Sequence, residues 1–109
     1  MRYLSYIVFC LLSFVMCTEQ PKELLPELSR AELLMQRCPN SALAVLDSME
    51  VPSPSDKFQY ATWCLLITQA RDKNYIKHIS DSLINIALDY FEKQNDPVRK
   101  ATALYYEGR

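Results

Sequence analysis

The 109-residue sequence predicts an all-α protein built from helix pairs. Three observations carry this. Beyond residue 24, apolar residues recur at steps of three and four, the period of a helix buried along one side. The breaks between these stretches fall at proline, serine and asparagine. Only one glycine occurs, Gly108, so hairpin turns of the Asn-Gly or Gly-X kind have nothing to form them. The same shortage excludes phosphate-cradling loops and dinucleotide folds, which need several glycines at fixed spacing. Twelve Lys and Arg against 13 Asp and Glu leave a net charge of -1. There is no basic excess to hold nucleic acid. Half the residues are apolar, too many for a disordered chain.

The chain opens on a targeting signal. Met1-Arg2-Tyr3 carries one positive charge, and Leu4 to Met16 is free of charge. From Thr18 to Glu23 the sequence is polar. A short basic start, an apolar run of about 7–15 residues and a polar boundary describe a secretory signal peptide. The run is too short for a membrane span, which takes about 20 residues. The predicted layout is a signal peptide over 1–16, a polar tether over 17–23 and a helical domain over 24–109, expected to be truncated at its C-terminal end. Phe14-Val15-Met16-Cys17 resembles the lipobox of bacterial lipoproteins. That resemblance implies a diacylglycerol on Cys17 and cleavage just before it. The family prefers Leu where Phe14 stands and a small residue where Met16 stands. Ordinary cleavage near Thr18 and an uncleaved anchor are the alternatives.

The helices follow in order. Leu24, Leu28, Ala31, Met35 and Cys38 define the first, with Pro26 in its first turn and Pro39 expected to end it at Cys38. Asn40 is the expected cap of the second, whose stripe is Ala42, Val45, Leu46 and Met49. Val51 to Ser55 is a breaker loop. Ser55 or Asp56 caps a third helix running to Lys73. One of its stripes is Phe58, Ala61, Leu65 and Thr68, and another is Trp63, Leu66, Ile67 and Ala70. Two stripes mean packing on two sides. Asn74 to Ser80 is a connector. Ser80 or Asp81 caps a fourth helix, with Leu83, Ile84, Ala87, Leu88, Tyr90 and Phe91 as its apolar set. Asp96-Pro97 is a cap with proline at the first helical position. The fifth helix carries Ala101, Leu104, Tyr105 and Gly108.

The two pairs echo one another. Ala42 to Asp47 (ALAVLD) aligns with Ile84 to Asp89 (INIALD) at an offset of 42, and Glu32-Leu-Leu34 aligns with Cys64-Leu-Leu66 at 32. These offsets bracket the 34 residues of a tetratricopeptide repeat. Pro39-Asn-Ser-Ala-Leu-Ala-Val-Leu-Asp-Ser48 resembles the first repeat of exported tetratricopeptide-repeat proteins of Gram-negative gut bacteria. Thr68 to Lys73, Asp81 to Ala87 and Asp96 to Tyr106 resemble pieces of later repeats. The resemblance implies an α-solenoid of about two and a half helix pairs.

Single residues invite sharper readings. The set Cys10, Cys17, Cys38 and Cys64 has no metal-ligand spacing. Cys10 lies within the signal. Cys64 reads as a buried apolar residue, and a Cys38–Cys64 disulfide is open to an exported protein. Trp63 is expected in the core between the two helix pairs. His78 reads as a solvated loop residue. Asp47 and Asp89, at matching places, are expected to face water or a neighbouring cation. Ser41, Ser48, Ser53 and Ser55 have no paired His or glycine elbow, which argues against a hydrolase. Tyr60, Tyr75, Tyr90, Tyr105 and Tyr106 suit filling between helices, or a peptide groove. Arg71, Lys73 and Lys77 form a small basic cluster. No catalytic residue, metal or cofactor is expected. The expected function is a non-catalytic protein–protein interaction module, lipid-anchored through Cys17, with an unknown protein or peptide partner. The alternative is a periplasmic sensory input region of a longer signalling protein.

Overall fold

The computed structural model describes residues 23–77 and 80–109. Among them it holds five helices and no strand: α1 (Pro26–Leu34), α2 (Pro39–Ser48), α3 (Lys57–Lys73), α4 (Ser82–Phe91) and α5 (Pro97–Glu107). None of these helices is long and apolar enough to cross a membrane. Proline opens α1, α2 and α5. Its missing N–H is one that the first turn leaves unpaired in any case, and its fixed φ is already helical. Asp96 caps α5 by accepting the Arg99 N–H at 3.3 Å. Asp56 and Asp81 occupy the cap positions of α3 and α4.

The junction of α1 and α2 departs from the expectation. α1 ends at Leu34, a turn covers residues 35–37, and Pro39 starts α2 instead of stopping α1. Cys38 therefore sits at the cap position, exposed, and Asn40 lies inside the helix. α3 ends where expected, in a Schellman turn. Tyr75 N–H donates to Asp72 O at 3.0 Å and Ile76 N–H to Arg71 O at 2.9 Å. Tyr75 takes φ 61°, the left-handed conformation that usually falls to glycine.

α3 is the centre of the fold because it is apolar on two sides. Leu66, Ile67 and Ala70 pack against Leu28, Ala31 and Met35 and against Ala42 and Leu46 of α2. Phe58, Ala61, Cys64 and Leu65 pack against Ile84, Ala87 and Phe91 of α4 and Ala103 of α5. Each helix touches the next in sequence. In addition α1 touches α3 and α3 touches α5, whereas α2 and α4 do not meet. Polar side chains tie the first helix pair to the second. Gln59 accepts from Leu25 N–H at 2.9 Å and donates to Glu23 O at 2.7 Å, and Asn74 Nδ2 donates to Pro39 O at 2.9 Å. The offsets of 42 and 32 follow the element starts: α2 and α4 start 43 residues apart and α1 and α3 start 31 apart, because α3 has 17 residues against nine in α1 and because the connector over 74–81 is longer than the one over 35–38.

The apolar stripe of α5 faces away from the other described helices. Ala103 is the residue buried against α3 and α4, flanked by half-buried Arg99, Thr102 and Tyr106. Ala101, Leu104 and Tyr105 face outward. An isolated period of three and four fixes a face of a helix but not which face meets the core.

Candidate functional site

The alternating contacts put α1, α3 and α5 side by side, and a hollow of about 290 Å³ lies across them. Its floor is apolar, made by Leu65 and Leu66 of α3 with Met35. Gln36, Gln69 and Thr102 supply amide and hydroxyl groups at its walls. Outside the lining, Lys73 Nζ donates to Gln36 Oε1 at 3.5 Å.

Arg99 dominates the electrostatics. Its Nε and Nη2 donate to the two carboxylate oxygens of Glu32, each at 2.9 Å, and Nη1 donates to Asp96 at 2.6 Å. The guanidinium carbon lies 5.6 Å from the centre of the Phe58 ring. Burial by itself disfavours the charge; the hydrogen bonds to Glu32 and Asp96 outweigh it and hold the Arg99 pKa above its usual value. Arg99 is thus a staple joining α5 to α1 over a bidentate pair. The arrangement offers shape, an apolar floor and hydrogen-bond donors, as a surface for an extended chain does. Among the described residues no group of His, Cys, Asp and Glu is placed to hold a metal ion.

The residues singled out in the sequence do not gather at this hollow. Cys17, the lipidation candidate, lies outside the described residues, as do Cys10 and His78. Trp63 is half-buried and touches both apolar clusters, its ring stacked on Tyr60 at 6.5 Å. Its indole N–H is buried and meets no acceptor among the described residues. Tyr60 and Tyr90 line a separate hollow of about 420 Å³ with Lys57 and Lys93. Tyr75 and Tyr105 are exposed and Tyr106 is half-buried, so the five tyrosines form no single groove. Asp47 and Asp89 are exposed on α2 and α4, helices that do not touch. Ser53 and Ser55 share a hydrogen bond at 2.8 Å in the loop before α3, and Ser48 bonds to Val45 O at 3.2 Å; Ser41 is exposed on α2. Arg71 and Lys73 are half-buried while Lys77 is exposed. Cys38 and Cys64 are both free thiols, one exposed and one buried, so no disulfide joins them.

Sequence reasoning missed the Glu32–Arg99–Asp96 network. Asp96 and Arg99 are three apart, a spacing that was legible. Glu32 lies 67 residues from Arg99, and only the stacking of helices brings them together. Comparison with protein-family models, curated proteins and solved structures gives no match.

Proposed function

We propose that this chain is a non-catalytic protein-interaction module of the tetratricopeptide-repeat kind, exported and held at a membrane through lipid on Cys17. The observation that carries the interaction reading is the hollow shared by α1, α3 and α5. Stacked helix pairs whose first helices line one side make an extended surface for a peptide. The alternation of contacts, with α2 and α4 apart, and side-chain ties spanning 34 to 36 residues support a repeat of this type. The charge-free run ending at Cys17 supports export and lipidation. A cysteine carrying several acyl chains anchors firmly, since each buried methylene contributes about 0.8 kcal/mol.

Two measurements test the two halves. A photoreactive residue placed at Gln36 or at Thr102 of the full chain, in the producing cell, is expected to trap one and the same partner. The same residue at Ser41 on α2 is expected to trap none. Equal trapping from all three positions, or none from any, overturns the groove. Intact mass of the membrane fraction is expected to show a diacylglyceryl Cys17 as the first residue. An unmodified N-terminus downstream of Cys17 overturns the anchor.

A further inference from the structure

The outward face of α5 is apolar, and no other described helix packs on it. Val98 is 75% exposed, Tyr105 58% and Leu104 46%, and Ala101 and Gly108 are exposed with them. They recur at steps of three and four on the side opposite Ala103. Tyr105 is already fixed. Its ring meets Tyr106 edge-on at 4.9 Å, and Arg109 lies 5.8 Å over it and donates to its hydroxyl at 3.3 Å. Arg109 is itself paired with Asp72 at 3.0 Å. An aromatic held this way loses little side-chain freedom when covered. Lys100 and Glu107 run along one flank of the face, both exposed and neither in an ion pair among the described residues.

We infer that this face binds a second copy of the chain, α5 against α5, antiparallel about a twofold axis near residue 103. The face is complementary to itself. A twofold axis of this kind sets each flank against the same flank of the other helix, so a residue on one copy meets its complement on the other. Lys100 then faces Glu107 of the second copy, and Glu107 faces its Lys100. The same operation lays the small Ala101 against Leu104 and Tyr105, and Val98 against Gly108. A parallel pairing leaves Lys100 with no carboxylate opposite. α5 has 11 residues, so the contact is about 16 Å long. It therefore belongs to the small, concentration-dependent class of interfaces.

Two differently tagged copies of the full chain, produced together, test this. A photoreactive residue replacing Tyr105 in one copy is expected to give an adduct bearing both tags, and the same residue at Ser48 on α2 to give none. Lys100→Glu in both copies puts like charges opposite at two places and is expected to cut the adduct about fivefold. Adding Glu107→Lys restores opposite charges and is expected to restore the yield. Leu104→Lys, which is uncompensated, is expected to abolish it. The exposed positions leave the helical circular dichroism unchanged, which distinguishes lost contact from lost fold. Absence of a doubly tagged adduct, an adduct only with another protein, or a yield indifferent to the charge changes overturns the inference.

Discussion

Tyr75 adopts the left-handed conformation with its side chain 97% exposed. Nothing is gained from the side chain there, and a non-glycine residue in that region costs about 1–2 kcal/mol. Tyr75→Gly is expected to stabilise the fold by about 1 kcal/mol and to raise the melting temperature by roughly 4–8 °C. An unchanged or lower melting temperature refutes this. Cys64 belongs to the same scale. Burial pushes its thiol from 9.0 up to about 11, and the charge on Cys64 in turn raises the neighbouring Tyr60 hydroxyl. A folded-state pKa above the unfolded value means stability fully present below about pH 9 and lost as pH rises through about 11. The expected result is a melting temperature that falls between those values, less steeply in Cys64→Ala. With iodoacetamide at neutral pH, peptide mapping is expected to find Cys38 labelled and Cys64 protected.

α3 is the element on which the others depend, and Trp63 is its clearest probe. The ring bridges the cluster shared with α1 and α2 and the cluster shared with α4 and α5. Its Nε1 is buried without an acceptor among the described residues, so the indole contributes packing and no hydrogen bond. Removing an N–H that has no partner is close to neutral, whereas removing the ring leaves a cavity. Trp63→Ala is expected to cost about 3 kcal/mol, the low end for a large aromatic because the residue is half-buried. Trp63→Phe is expected to cost about 1 kcal/mol. Equal costs in chemical denaturation would show that the N–H has a partner after all.

Across the whole molecule, the first and last described helices are joined by one side chain. Arg99 reaches Glu32 from 67 residues away while holding its own cap residue Asp96. The Arg99 and Glu32 side chains are 22% and 37% exposed, so solvent screens part of the attraction. Arg99→Leu is expected to cost about 1–2 kcal/mol, and Arg99→Lys to recover little, because an ammonium cannot span both carboxylate oxygens. A double-mutant cycle of Glu32→Gln with Arg99→Leu is expected to give a coupling of about 1 kcal/mol. Additive costs would mean that α1 and α5 are energetically independent.

The sequence determined the elements, and the tertiary structure decided their partners. Local spacing and caps were enough to place α3 from Lys57 to Lys73 and to find its two apolar sides, since both follow from side chains within one helix. Asp96-Pro97 likewise announced α5, because capping is a contact three residues long. Pro39 was legible as a boundary but not as which side of one, since proline both ends a helix and begins one. Ala101, Leu104 and Tyr105 were legible as a stripe, yet Ala103 is the residue that meets the core. α5 has two faces of small and apolar residues, and only the position of α3 and α4 selects between them. The hollow and its Glu32–Arg99 staple were not legible at all. They are assembled from three helices far apart in the chain, and no local period records which residues stacking will bring face to face.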